Sequence, residues 1–205
     1  MKTINKERLI LASRSPRRKK LLEQVGISIH IAPSNIDETV VSNKTPEEQA
    51  RQLSLLKAEK TAFSYPDSWI LGADTIVVVK NQILGKPESK THAVHMLKRL
   101  SNREHSVYTA FCVFNLKTET RVVKTIKTKV VFKRLTDWEI SWYIQTGEPF
   151  DKAGSYAIQG IGLFMVKEIF GSYSNVVGLP VCEVVETLEN LNIIQLKGYN
   201  HYDIY

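Results

Sequence analysis

Five short segments of this chain carry more charge or hydrogen-bonding capacity than their apolar surroundings need. Ser13-Arg14-Ser15-Pro16-Arg17-Arg18 stands between a short apolar run and a helix opened by Pro16. Backbone N–H groups and the positive end of the helix dipole make such a junction an anion site. Cations in a first helical turn oppose that dipole unless an anion sits among them. Arg17 and Arg18 therefore read as phosphate ligands, with Ser13 and Ser15 as further donors. The plainer alternative is a solvated basic helix start capped by Ser15. Gly72-Ala73-Asp74-Thr75 lies inside the most apolar strand of the sequence. A buried carboxylate there is costly unless it is paired, hydrogen-bonded, metal-bound or set at an open strand end facing a cleft.

Ile36-Asp37-Glu38-Thr39 places two adjacent carboxylates soon after a strand, and continued alternation would send only one of them into a given site. A hard cation such as Mg²⁺ needs only one or two protein carboxylates beside phosphate oxygens and water; an acidic surface turn is the alternative. Lys57, beside Ala58 in a helix, and Lys86, in the restrained Gly85-Lys86-Pro87 loop, are further cations without the glycine spacing of a P-loop. Asp151-Lys152-Ala153-Gly154-Ser155-Tyr156-Ala157-Ile158-Gln159-Gly160 gathers small residues, glycines and hydrogen-bonding side chains, as pocket loops do. An ordinary helix-to-strand turn has the same composition.

The elements that must position these residues alternate between helix and strand, which predicts an α/β class. Strands are expected at Leu9–Ala12, Ile27–Ile31, Trp69–Val79, His105–Asn115, Arg121–Phe132 and Gly162–Phe170. Helices are expected from Pro16 to a stop at Gly26, from Pro46 to about Phe63, around Ala93–Leu100, from Thr136 to Gly147, and over Val181–Leu191.

Composition removes several classes. Among 205 residues, 28 Lys plus Arg against 21 Asp plus Glu give a net charge of +7, with 43% hydrophobic and 24% charged residues. Intrinsic disorder does not fit that apolar content. The longest apolar runs, such as Ile76–Val79 and Ala110–Phe114, are far too short for a membrane helix, so no membrane partner is expected. Met1 to Arg8, followed only by Leu9 to Ala12, lacks a signal-peptide pattern, and a cytoplasmic location is the expectation. Cys112 and Cys182 sit in apolar patterns without metal-ligand spacing and are expected to be free, buried thiols. Lys117, Arg121, Lys124, Lys127, Lys129, Lys133 and Arg134 form a basic stretch, but aromatics are not interleaved on one face. A solvated strand face explains it, and no stable nucleic-acid partner is expected.

Taken in order, the segments resemble the Maf (septum-formation) family of nucleotide pyrophosphatases. The resemblance is carried by Ser13 to Arg18, Asp37-Glu38, Lys57-Ala58, Gly72 to Thr75, Gly85-Lys86-Pro87, Asp151 to Gly154, Ile158-Gln159-Gly160 and Asn175-Val176-Val177-Gly178-Leu179-Pro180. It implies an α/β fold of the inosine triphosphatase kind, a two-lobed mixed sheet with flanking helices and a central cleft. On that basis residues 1–205 are expected to be one domain of two lobes, with the polar stretch 197–205 as a tail outside the family pattern.

The resemblance further implies hydrolysis of a nucleoside triphosphate to its monophosphate and pyrophosphate, with Mg²⁺ or Mn²⁺ as cofactor. Ser13, Arg17, Arg18, Lys57 and Lys86 would hold the phosphates, and Glu38 is favoured as metal ligand. Asp74 is implied as proton acceptor, with a share in the metal left open. The combination of Arg17, Thr75 and Gln159 is similar to the subgroup acting on dTTP and UTP; the subgroup acting on 7-methyl-GTP differs around Thr75 and Gln159. A Gln amide supplies both donor and acceptor to the imide edge of a pyrimidine. Family members are often dimers, so a homodimer is expected. The family's name also suggests a septum-regulating role without catalysis.

Overall fold

The computed structural model describes residues 3–41 and 44–196; the expected tail at 197–205 lies outside the described residues. In chain order the elements are β1 (Thr3–Asn5), β2 (Leu9–Leu11), α1 (Pro16–Gln24), β3 (His30–Ile31), α2 (Pro46–Ala62), β4 (Trp69–Val79), β5 (Gln82–Leu84) and α3 (Lys90–Leu100). There follow β6 (Glu104–Asn115), β7 (Thr120–Phe132), α4 (Asp137–Gln145), β8 (Val166–Phe170), α5 (Tyr173–Val177), α6 (Val181–Asn190) and β9 (Ile194–Leu196). Short 3-10 turns occupy Glu38–Val41, Glu148–Asp151, Ala153–Ser155 and Ile161–Met165.

Side-chain oxygens start most of the helices as the sequence suggests. Ser15 caps α1, Thr45 caps α2, Ser89 caps α3, and Thr136 with Glu139 closes a reciprocal capping box on α4. Gly26, at φ 75°, turns the chain after α1 in the left-handed region that suits glycine.

The main sheet has seven strands in the order β3-β2-β4-β6-β7-β8, with β5 added beside β4. β3, β2 and β4 run parallel, whereas β4-β6, β6-β7 and β7-β8 are antiparallel, so the sheet is mixed. β1 and β9 form a separate antiparallel pair. Period-two alternation along β4 divides its side chains between two faces. On one face α2 covers Ile70, Ile76 and Val78 with Ala50, Ala58 and Ala62. On the other, Leu71, Ala73, Phe111 and Val113 meet Leu21 and Leu22 of α1 and Val184 and Leu188 of α6. Farther along that same face, Val77, Val79, Val107 and Phe132 meet Met96, Leu97 and Leu100 of α3 and Ile140, Tyr143 and Ile144 of α4.

Between those two apolar clusters runs a polar seam. Thr75 and Thr109 face each other in register with their hydroxyls 3.0 Å apart. Thr109 donates to the Asn175 carbonyl (3.0 Å), and Asn175 Nδ2 donates to Thr128 (2.8 Å). The seam secures α5 to the sheet, since buried polar groups are retained only when they find partners.

Three expectations are corrected. The alternation over Ile27–Ile31 yields only the two-residue β3, because Ile27 is drawn into the core beneath α1 while His30 and Ile31 stay exposed. Gly162–Phe170 is not one strand: the chain turns through Ile161–Met165 before β8 begins at Val166. Cys112 is buried, but Cys182, in the first turn of α6, is exposed with its thiol 3.7 Å from Glu186. The basic stretch is partly neutralised. Lys117 pairs with Asp67, Arg121 with Glu59, Lys129 with Glu104 and Lys133 with Glu139. Among the described residues, no helix is long and apolar enough to cross a membrane.

His105 makes a prediction about stability. Its ring is 2% exposed, shares a hydrogen bond with the Tyr156 hydroxyl (2.8 Å) and packs edge-on against Phe132. Burial holds its pKa down to about 3, against 6.5 ordinarily. Between those values the unfolded chain binds a proton that the folded chain refuses, so stability falls as pH drops below 6.5. The expected loss between pH 7.5 and pH 5 is about 2 kcal/mol. The lowered carboxylates Glu38, Glu139, Glu148 and Asp151 contribute acid loss only beneath their ordinary values of 4.5 and 3.8. Urea titrations across this range should therefore show a slope that His105→Gln flattens; an unchanged slope in the variant would assign it to another group.

Candidate active site

The site begins as a gap in a sheet edge. β6 occupies one edge of β4 from Ile70 to Val78. On the opposite edge β2 pairs only as far as Leu71, and β5 joins only at Val77. Among the described residues no strand pairs with that edge from Gly72 to Ile76. Asp74 and Thr75 thus lie where the sheet opens, and a cleft of about 750 Å³ extends over them. The open strand end considered for Asp74 is, in the fold, this open stretch of edge.

α2 brings the first cation to the gap. A Cβ on Gly72 would stand 2.3 Å from the Ser54 carbonyl and 2.8 Å from Ala58 N, so only glycine permits this approach of helix to strand. Lys57, next to Ala58, then reaches Asp74 Oδ1 at 2.6 Å and Glu38 Oε1 at 2.7 Å. The Lys57 and Asp74 side chains are each 11% exposed, whereas Glu38 is 59% exposed at the cleft edge. Burial raises the Asp74 pKa, with Lys57 and Arg18 pulling against it. Burial acts upward on Glu38 too, but the hydrogen bond and charge of Lys57, together with Lys86 and Arg18, bring it below the ordinary value. The chain turns into a 3-10 segment at Glu38 rather than continuing a strand, so Glu38 enters the site by that turn and Asp37 is not among the lining residues.

The β2–α1 junction supplies the opposite wall. Arg18 is buried, and each of its three nitrogens donates within the protein. Its Nε donates to the Gly178 carbonyl (2.8 Å), Nη1 to Ser13 (3.0 Å) and Nη2 to Thr75 (3.1 Å). The Thr75 hydroxyl is thereby shared among Arg18, Thr109 and the Gly178 carbonyl. Arg17 spans the cleft to Asp151 at 3.3 Å. Lys152 donates to the Glu148 carbonyl at 2.7 Å and also pairs with Asp151. Lys86 and Gln159 are exposed and line the same cleft.

Ser13, Arg17, Arg18, Glu38, Lys57, Asp74, Thr75, Lys86 and Gln159, scattered over the sequence, all line this one cleft. Arg14, bonded to Asn35 at 2.5 Å, and Lys152 are further lining cations that the sequence reading did not assign to the site. Both stood inside the segments already singled out, so proximity to them was the available signal. The Gly178 carbonyl carried none. Arg14, Arg17, Arg18, Lys57, Lys86 and Lys152 outnumber Glu38, Asp74 and Asp151, a balance that suits a polyanion.

Glu38 and Asp74 on either side of one ammonium form an oxygen donor pair of the kind a hard divalent cation uses with phosphate. Among the described residues no group of three or more His, Cys, Asp or Glu side chains could hold a metal unaided. The residues fit a cation that takes the rest of its ligands from substrate and water.

Fold and cleft together define a mixed α/β protein with a cation-lined cleft along an open strand edge. A family model described as Maf-like protein matches residues 8–191, and the chain belongs to the Maf family. It is 48% identical over 195 residues to a Syntrophus aciditrophicus protein named dTTP/UTP pyrophosphatase, covering 95% of each chain. Proteins of the same name from Syntrophotalea carbinolica and Ruminiclostridium cellulolyticum are 50% and 47% identical. They cover 92% and 90% of this chain, and this chain covers 86% and 96% of theirs.

Proposed function

We propose that this chain is a nucleoside triphosphate pyrophosphatase that hydrolyses dTTP and UTP to the monophosphate and pyrophosphate. The observation that carries the reading is Lys57 held between Glu38 and Asp74 inside a cleft whose charged lining is mainly cationic. The names of the relatives supply the substrates.

Water attacks the α-phosphorus, the bond from that phosphorus to the bridging oxygen breaks, and pyrophosphate departs. Arg17, Lys86 and Lys57 neutralise the phosphate oxygens, which is most of what such a transfer requires of a protein. Arg18, committed to Ser13, Thr75 and Gly178, fixes the wall from which Arg17 reaches out. Asp74 takes the proton of the attacking water, and its burial makes it a stronger base than an exposed aspartate. Glu38 and Asp74 would hold Mg²⁺ or Mn²⁺, which supplies Lewis-acid polarisation and further charge neutralisation. Gln159 reads the base, its amide matching the donor and acceptor of the uracil or thymine imide. Thr75, whose hydroxyl is already shared, supports Arg18 in preference to contacting the base.

The test is product analysis over UTP, dTTP, CTP, GTP and 7-methyl-GTP with either metal. Pyrophosphate, not orthophosphate, is expected as product, with UTP and dTTP preferred by at least about tenfold in kcat/KM. Preference for 7-methyl-GTP would keep the chemistry and discard the role of Gln159. A folded, metal-supplied protein that cleaves none of them would sink the enzymatic reading.

A further inference from the structure

Gln159 is exposed, on a loop with glycine at position 160 and again at 162, yet that loop is tied down from beneath by one side chain. Glu148, just after α4, accepts at Oε2 from the Ile161 N–H (2.9 Å). At Oε1 it accepts from the Gly162 N–H (2.9 Å) and from the Tyr143 hydroxyl (2.8 Å). The Tyr143 hydroxyl in turn accepts from the Ala157 N–H at 3.3 Å. Gln159 therefore sits between two anchored backbone points, Ala157 before it and Ile161-Gly162 after it, both traced to the same carboxylate and phenol.

Gly160 makes room for that carboxylate, and Gly162 for the Ala157 carbonyl and the Tyr143 hydroxyl beside it. A Cβ on Gly160 would lie 2.1 Å from Glu148 Oε2, and one on Gly162 would lie 2.7 Å from the Ala157 carbonyl and 2.8 Å from the Tyr143 hydroxyl. Tyr143 is fully buried in the cluster beneath, so the peg does not swing with solvent. The Glu148 backbone adds a second tie: its carbonyl accepts from Lys152 Nζ, a cation of the cleft wall. One residue thus ties the loop that carries Gln159 to a lysine of the cleft wall.

We propose that Glu148, braced by Tyr143, is the positioning residue that sets base selection by holding the Gln159 loop in register; the inference rests on the assignment of Gln159 to the base. Glu148 is not among the residues that line the cleft. A carboxylate that accepts from two backbone N–H groups cannot be replaced by an amide without turning an NH₂ toward a donor. Loss of one such bond lets the loop, and the amide of Gln159, drift relative to the pyrimidine edge.

The test compares kcat/KM for UTP, CTP and GTP in wild type, Glu148→Gln, Tyr143→Phe and Gln159→Ala. Glu148→Gln is expected to lower kcat/KM for UTP by about tenfold, mostly through KM. The rate on CTP and GTP should move by less than about twofold, so that UTP preference collapses toward that of Gln159→Ala. Tyr143→Phe, which keeps the core packed, should shift the preference in the same direction by less, and it serves if Glu148→Gln does not fold. A parallel fall on all three nucleotides, or an unchanged preference, in a folded variant would overturn the proposal. If Gln159→Ala itself retains full UTP preference, the base-reading assignment fails and this inference falls with it. If Gln159→Ala loses preference while Glu148→Gln and Tyr143→Phe keep it, only the role of Glu148 fails.

Discussion

Asp74→Asn should leave a folded protein that releases pyrophosphate from UTP about a thousand-fold more slowly. Asparagine keeps the shape of the side chain and an oxygen for Lys57, whose other partner Glu38 remains in place. On the proposed mechanism, what is lost is the proton acceptor, together with one negative charge at the open edge of β4. A melting temperature within about 5 °C of wild type would show that the effect is chemical and not structural. The wild-type pH profile carries the same signature. Burial raises the Asp74 pKa above its ordinary 3.8, and the deprotonated form is the base. The kcat/KM therefore falls as pH drops through that raised value, at higher pH than an exposed aspartate would give. An undiminished rate in Asp74→Asn would remove Asp74 from the proton transfer.

Gly72→Ala should do comparable damage from a residue with no chemistry of its own. The added Cβ would meet the Ser54 carbonyl at 2.3 Å, Ala58 N at 2.8 Å and Ala58 Cβ at 3.0 Å. Those neighbours are backbone or attached directly to it, so no rotamer relieves the contact and α2 must retreat by roughly 1 Å. Overpacking of this sort costs about 2–3 kcal/mol. The retreat also carries Lys57 away from Asp74, and a displacement of that size in a catalytic group costs about 100-fold in rate. Urea denaturation and kcat/KM on the same preparation check both arms. A destabilised variant with full activity would show that the Lys57–Asp74 pair does not depend on this packing.

The long elements were legible because long runs and clear start signals mark them. β4, β6 and β7 show as long apolar or strand-forming runs and α2 by its start at Thr45-Pro46, and their ends fall within a residue or two of expectation. Short patterns misled. Ile27 to Ile31 alternates like a strand, but Ile27 serves the core while only His30 and Ile31 pair with β2. Gly162 heads an apolar run, yet its N–H belongs to Glu148, fourteen residues earlier, and that bond bends the chain. At the site, charge and residue type singled out Arg17, Arg18 and Asp74, and the family resemblance added a role for Lys57. Which of them hold one another was hidden, because each bond joins distant segments. The Arg18 bond to the Gly178 carbonyl spans 160 positions, and nothing local announces it. Thr75 is a second case: its bonds to Arg18 and Thr109 join it to segments 57 and 34 positions away.

β4 and β6 pass without a break beneath both apolar clusters, with the Thr75–Thr109 seam between them. The two sides of the cleft therefore share the same two strands. On the proposed function, a phosphate entering the cleft would take Arg17 from Asp151. The same continuity makes heat dismantle both sides at once: calorimetry should record one transition, and a nucleotide bound in the cleft should move it as a whole.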